Sequence, residues 1–479
     1  MTTRLKRRFE KLLIANRGEI AVRIIRAAKE LGLDTVAVYS DADADSLAVR
    51  MADESVNIGP PHATKSYLNG DAILAAARKT GAGAIHPGYG FLSENADFAD
   101  QVTRAGLVFV GPTANAIRTM GDKAAARAAA IAAGVPTVPG SAGAVATVEA
   151  ALEVADQIGF PIMIKASAGG GGRGIRVAQD PAELARHFVL ASAEAQAFFG
   201  NGELYLERFI RRARHIEVQI LGDGRNVVHC FERECSLQRR RQKIWEEAPS
   251  AAISAATRIA LCESALKLAR AVAYTGAGTL EYLYDDESRE FFFIEMNTRI
   301  QVEHPVTEMV TGLDLVKEML RVALGEPLRL RQEDIQLRGA AIEVRINAEI
   351  VARNFMPNPG RVTQLVVPGG PGVRFDTLLY PGYTVPAYYD SLLGKLIAWD
   401  EDRASAIARM QRALGELEIQ GVSTTADLHK ALCADRQVRE ARYHTGFLEE
   451  WLAAHPPSPA KPNVDAAFVS QPHLAKATS

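Results

Sequence analysis

Short apolar runs alternate with amphipathic stretches over the first 118 residues, and this pattern constrains the chain more than any other. Lys11-Leu-Leu-Ile-Ala15 reads as a strand; after the turn Asn16-Arg-Gly18, residues Ile20, Ile24, Ala27, Ala28 and Leu31 recur at helical spacing. Gly32 stops that helix, and Thr35-Val-Ala-Val-Tyr39 is the next strand. A further unit ends at Ala84-Ile85 before His86-Pro-Gly-Tyr-Gly90, and Val108-Phe-Val110 closes at Gly111-Pro112. Strands joined through helices run parallel, with the helices on the faces of the sheet. An α/β fold is expected, with an N-terminal parallel unit over residues 1–118.

A chain of 479 residues, at roughly 150 per domain, suggests about three domains. The middle, 119–336, opens with an Ala-rich helix from Lys123 to Ala133, stopped at Gly134-Val-Pro136. Phe160 to Lys165 then reads as a strand, as do Ile216–Leu221, Leu280–Tyr284 and Phe291–Ile294. The last part, 337–456, carries strand-like runs at Val344–Ile346, Arg361–Val367 and Lys395–Ala398. Beyond it, 457–479 has the Pro-rich composition of a flexible tail.

Charge excludes some function classes. Lys plus Arg total 55 against 57 Asp plus Glu, so nothing in bulk attracts nucleic acid or an anionic membrane. No run approaches the roughly 18 apolar residues of a transmembrane helix. The basic start, Met1 to Glu10, lacks the apolar core of a signal peptide. Cys230, Cys235, Cys262 and Cys433 have neither zinc-site spacing nor a disulfide framework, and a cytoplasmic location is expected.

Gly169-Gly-Gly-Gly-Arg-Gly174 formally matches GxGxxG, but a dinucleotide fingerprint must end a strand and open a helix. Here Ile175-Arg-Val177 alternates like a second strand, and the helix start comes later, at Asp180-Pro-Ala-Glu183. The glycines therefore join two antiparallel strands as a flap, and no Walker A pattern is present. Five glycines in six positions lose much backbone entropy on ordering, which a ligand-free hairpin would not justify. Bare amides around phosphate oxygens, with Lys165 and Arg173 adding positive charge, account for them.

Glu295-Met-Asn-Thr-Arg-Ile-Gln-Val-Glu303 is the densest chemical stretch. Its polar residues recur at every second position, so an extended chain would present them on one side. The approach Phe291-Phe-Phe-Ile294 is apolar on both faces, which brings Glu295 in from a dry interior. Glu281 stands mid-strand, where a buried carboxylate needs a cation. Glu281, Glu295 and Asn297 together offer the hard oxygen ligands Mg²⁺ takes when it also bridges phosphates.

These residues carry a family likeness. Ile14 to Ala21, His86 to Asn95, Met120 to Lys123, Lys165 to Gly174, Cys235 to Arg240, Glu246 to Pro249 and Glu295 to Glu308 resemble biotin carboxylase, over roughly residues 10 to 450. The resemblance implies an ATP-grasp ligase of three domains: the N-terminal α/β unit, a central ATP-grasp domain whose mobile glycine-rich lid spans about 137–209, and a C-terminal α+β domain. It implies that bicarbonate and ATP form carboxyphosphate, and that CO₂ passes to biotin with release of ADP and phosphate. By matching position, Lys123, Lys165, Gly171, Gly172, Glu207, Arg208, Phe209, Ile210 and His215 would contact ATP. Glu281, Glu295 and Asn297 would hold Mg²⁺ or Mn²⁺; Lys243, Arg299 and Val302 would bind bicarbonate. Glu303 would be the general base, and Arg345 would face the biotin ureido oxygen.

Arg241 stands where the family commonly has His, and Arg208 replaces a common Lys. Near the dimer contact of bacterial relatives, Pro371 stands where an aromatic is often found, so a homodimer is implied less strongly than the fold. No Met-Lys-Met biotin-attachment motif appears, so biotin is expected on a separate carrier protein, with a separate carboxyltransferase serving the acyl acceptor. Acetyl-CoA is the first expectation for that acceptor, with pyruvate or another substrate as the alternative. Two further readings are another ATP-grasp ligase and a silent nucleotide-binding subunit. The His86–Gly90 loop is read as a structural turn, Cys230 and Cys235 as packing residues flanking a strand, Arg211–Arg214 as a solvated charge run and Trp245 as core.

Overall fold

In the computed structural model, which describes residues 7–166, 175–199 and 201–456, the N-terminal alternation becomes a five-stranded sheet. Strands β1 (Lys11–Ile14), β2 (Asp34–Tyr39), β3 (Glu54–Asn57), β4 (Ala84–His86) and β5 (Val108–Phe109) lie in the order β3-β2-β1-β4-β5, every pair parallel. Consecutive residues of β1 point to opposite faces. Leu12 and Ile14 join a core that includes Ile20, Ile24 and Ala28 of α1 (Gly18–Glu30), whereas Leu13 joins a second core with Ile73, Leu74 and Phe98. Both faces are therefore covered, which is why β1 is apolar from Leu12 to Ile14.

Helix α2 (Lys123–Ala132) follows, with the Asp122 side chain accepting from the Ala125 amide at its start. Strands β6 (Ile162–Ala166), β7 (Arg176–Ala178) and β8 (Leu204–Arg208) form a separate antiparallel sheet in the order β7-β6-β8. The glycine segment thus connects two antiparallel strands, as expected; Gly169 to Gly174 themselves, with Arg173, lie outside the described residues. Helix α3 (Pro181–Phe199) starts at Asp180, whose carboxylate accepts from the Glu183 amide.

The largest sheet has eight strands. Strands β9 (Ala213–Asp223), β10 (Val227–Arg239), β11 (Gln242–Ala248), β12 (Thr275–Asp285) and β13 (Phe291–Asn297) are joined by β14 (Ala340–Asn347), β15 (Val373–Thr377) and β16 (Leu392–Asp400). Their order is β13-β12-β9-β10-β11-β14-β16-β15, and each pair is antiparallel. One hydrogen-bonded sheet therefore runs from the middle of the chain into its last third through the β11–β14 pair. Helix α4 (Ala255–Ala271) packs on β9 and β10, and α5 (His304–Thr311) lies over β10, β11, β14 and β16.

Several sequence expectations change. Arg361–Val367 is not one strand, because Val362 donates to Tyr383 and Thr363 to Gln420, so the run exchanges one partner for another midway. Cys230 and Cys235 lie within β10 rather than beside it; all four cysteines are free and buried. Arg214 is no solvated charge: it is 5% exposed and ion-paired to Glu234 and Asp286 at 2.8 and 2.7 Å. Ile294 is 39% exposed and Glu295 half-buried, so the approach to the carboxylates is dry on one face only.

Candidate active site

The site grows from period-two alternation in β9 to β13. His215, Glu217 and Gln219 share one face of β9, with Ile216, Val218 and Ile220 on the other, in the core under α4. Neighbouring strands add Arg233 from β10, Lys243 from β11, Glu281 from β12, and Glu295 and Asn297 from β13. The extended reading of Glu295–Glu303 holds only to Asn297. From Thr298 the chain leaves the sheet, and Glu303 becomes the residue that opens α5, with Pro305 in its first turn. Its side chain does not cap the helix but turns back to the sheet.

Lys243 is the electrostatic centre. Its Nζ donates to Glu217 Oε2 at 2.6 Å, Glu281 Oε1 at 2.8 Å and Glu303 Oε1 at 2.7 Å. Burial alone would lower the Lys243 pKa, but the three carboxylates more than reverse this and hold it well above the usual lysine value. Burial likewise works to raise Glu303, yet Lys243 and Arg345 leave its net pKa below the ordinary carboxylate value. Glu303 is therefore ionised at neutral pH. Beneath it, Arg233 is fully buried and gives Nε to Glu217 Oε1 at 2.6 Å, with its remaining donors on Gln219, Thr307 and Thr279. His215 stands 3.2 Å from Glu281 Oε2; against the effect of burial, Glu281 raises its pKa to about 9.

A second cation pair flanks this centre. Arg345 on β14 donates Nε to Glu246 at 2.6 Å and Nη2 to Glu303 Oε2 at 3.0 Å. Arg299, in the segment after β13, binds Glu94 at 2.9 Å, Asn297 Oδ1 at 2.9 Å and Gln301 at 2.8 Å. The carbonyl of Val302 accepts from the fully buried Lys395 Nζ at 2.8 Å, and Lys395 also pairs with Glu19 of α1. The His86–Gly90 loop is the expected structural turn: Asn16 donates to the Pro87 and Tyr89 carbonyls, and Gly88 donates to His86 Nδ1.

Glu281 and Glu295 are Cα partners across β12 and β13. Like charges directly opposite repel. Burial, and then Glu281, raise the Glu295 pKa, which Lys123 at the start of α2 only partly counters. Two facing carboxylates with Asn297 beside them fit a divalent cation, which would remove that repulsion. Asn297 Nδ2 now donates to Glu281 at 2.9 Å. Lys165 on β6 is ion-paired to Glu207 on β8. The Arg208 and Phe209 amides donate to the Pro139 and Pro161 carbonyls. Gly171 and Gly172 lie outside the described residues. Arg241 sits exposed at the tip of the β10–β11 hairpin, where Arg240 and Arg241 both take left-handed backbone.

Sequence reasoning missed Glu217, Arg233, Glu246, Lys395 and Glu94. All but Glu94 are buried and lie within strands, where charged residues read in sequence the same as a solvated face.

Three family models match in series. "Biotin carboxylase, N-terminal domain" covers residues 8–117, "Carbamoyl-phosphate synthase L chain, ATP binding domain" 122–331, and "Biotin carboxylase C-terminal domain" 343–450. A biotin carboxylase of Nostoc sp. is 54% identical over 444 residues, spanning 92% of this chain and 99% of the relative. Among solved structures, the biotin carboxylase of Campylobacter jejuni in complex with β-γ-ATP matches with a TM-score of 0.85 at 47% identity, covering 92% of this chain and 99% of that one. The biotin carboxylase domain dimer of Hydrogenobacter thermophilus 2-oxoglutarate carboxylase, with MgADP, ADP and bicarbonate, matches with a TM-score of 0.85 at 46% identity, covering 94% and 99%.

Proposed function

This chain belongs to the biotin carboxylase family and is an ATP-grasp ligase, and from that premise we propose that it carboxylates biotin borne on a separate carrier protein, as the first half-reaction of an acyl-CoA carboxylase. The observation that carries this reading is the three-way grip of Lys243 on Glu217, Glu281 and Glu303, beside a second grip on Glu303 by Arg345. These two cations hold an ionised carboxylate between them, and with Arg299 they are the positive groups a small anion would meet there.

Bicarbonate would take over hydrogen bonds from Lys243 and Arg299, with the Val302 backbone closing the third side. Glu303, released from part of its ion pairing, would accept the bicarbonate proton as general base. When bound, ATP supplies the phosphoryl group and Mg²⁺ or Mn²⁺ the charge that neutralises it. Glu281, Glu295 and Asn297 would hold the metal; Lys123, Lys165, His215, Gly171, Gly172 and the segment Glu207–Ile210 would hold the nucleotide. Arg345 would stabilise the oxyanion that develops on the biotin ureido group as CO₂ is accepted. Closure of the segment around 137–209 would keep water from carboxyphosphate.

The functional units we assign are 1–118, 119–336 and 337–456, with 457–479 as a tail. No helix among the described residues is long and apolar enough to cross a membrane; the location we assign is cytoplasmic. The acceptor we propose for the partner carboxyltransferase is acetyl-CoA, with a 2-oxoacid as the second reading because one structural neighbour is the biotin carboxylase domain of a 2-oxoglutarate carboxylase. A homodimer is the proposed assembly.

ADP release from MgATP tests the proposal. Release should depend on bicarbonate and rise when free biotin is added. Release indifferent to bicarbonate would point to another ligase, and ATP binding without release to a silent nucleotide-binding subunit.

A further inference from the structure

Two carboxyl groups behind Arg345 have no part in this scheme. Glu246 on β11 and Glu343 on β14 are Cα partners, so their side chains leave the sheet on the same face. Both are 0% exposed. Glu246 Oε1 accepts from Arg345, but its Oε2 and both oxygens of Glu343 meet no donor among the described residues.

Two carboxylates facing each other in a dry strand pair do not both stay ionised, since taking up one proton removes both the repulsion and an unpaired buried charge. That proton also supplies the donor an orphaned oxygen lacks. The surroundings decide which residue bears it. Arg345, Lys395, Lys243 and Glu303 are the charged groups facing the pair, and His304 on α5 is kept neutral by burial. Arg345 is bonded to Glu246. Lys395 is engaged by Glu19 and the Val302 carbonyl, and Lys243 by three other carboxylates. Glu343 has no cation in contact among the described residues.

We propose that Glu343 is the protonated member of a buried acid pair, and that its proton keeps Glu246 ionised so that Glu246 fixes the Arg345 guanidinium for the biotin step. Both are positioning residues, and the functional half of the inference rests on the role assigned to Arg345 above. Burial pushes the Glu343 carboxyl well above its ordinary value; burial also lifts Glu246, to about 7 with Arg345 opposing.

The test uses the full chain. Infrared spectra at about pH 8.5, where Glu246 is mostly ionised, compared in H₂O and D₂O, should show the carbonyl stretch of a protonated, water-excluded carboxyl that disappears in Glu343→Gln and persists in Glu246→Gln. Glu246→Gln should raise the KM for free biotin about tenfold and remove the acid limb of kcat/KM for biotin. Glu343→Gln, as neutral as the acid it replaces, should leave that KM within about twofold. A band absent from the wild-type protein, or one surviving in Glu343→Gln, overturns the proposal, as does an unchanged biotin KM in Glu246→Gln. Should Glu343→Gln not fold, the wild-type and Glu246→Gln spectra still decide, since a band missing from both contradicts the protonated pair. Failure of the Arg345 assignment would show separately: Arg345→Lys would keep the biotin KM while the infrared band stayed intact.

Discussion

Glu303 joins the two cation systems, with Lys243 on one oxygen and Arg345 on the other. Replacing it by Gln removes the proton acceptor while keeping shape, so Glu303→Gln should bind ATP normally and lose about 10² to 10⁴ in turnover. Equilibrium nucleotide binding and steady-state ADP release check this, and a retained rate would refute the general-base role. The residues placed here divide by how the sequence signals them. Glu281, Glu295 and Asn297 are legible because carboxylates in apolar strands demand a cation. Glu217 and Arg233 are not, because alternation with Ile216 and Val218 looks the same whether the polar face meets water or a second buried charge. Which it meets depends on β10 and β12 lying on either side of β9, and that is tertiary information.

At the scale of elements, the segment between β13 and α5 carries Arg299 and Val302, and Lys395 ties it to β16 and α1. Lys395→Met would fill the space but leave Glu19 a buried, unpaired charge, a cost of about 3–5 kcal/mol. Its thermal midpoint should fall by several degrees and the KM for bicarbonate should rise, because the Val302 carbonyl loses its partner. An unchanged midpoint would show that Glu19 does not depend on Lys395. The strand reading of Glu295–Glu303 fails here for a reason visible afterwards: Pro305 marks a helix start, and Glu303 is its opening residue. The antiparallel flap, by contrast, follows from local signals alone, namely Ile175-Arg-Val177 and the Asp180 cap.

For the whole molecule, three sequence units become a structure in which the eight-stranded sheet continues past residue 336. No local pattern announces that β11 pairs with β14 across more than ninety residues, because such pairing is set by which apolar faces must be covered together. Buried neutral histidines span the same breadth: burial lowers His86, in the N-terminal sheet, to about 3 and His429, in the last third, to about 4. In the unfolded chain both protonate near pH 6.5, whereas in the fold they stay neutral, so below 6.5 the unfolded state binds more protons and stability falls with pH. By pH 5 each withdraws about 2 kcal/mol. The thermal midpoint should therefore be lower at pH 5 than at pH 7, and an equal midpoint would contradict the assigned neutral state.

The central claim is transfer of carbon from bicarbonate to biotin at the expense of ATP. Labelled bicarbonate, incubated with the protein, MgATP and free biotin, tests it most directly through the label recovered as carboxybiotin. The account predicts labelled carboxybiotin that requires ATP, forms with matching ADP, and is abolished by Glu303→Gln. ADP released with no label on biotin, or label transfer undiminished in Glu303→Gln, would contradict it.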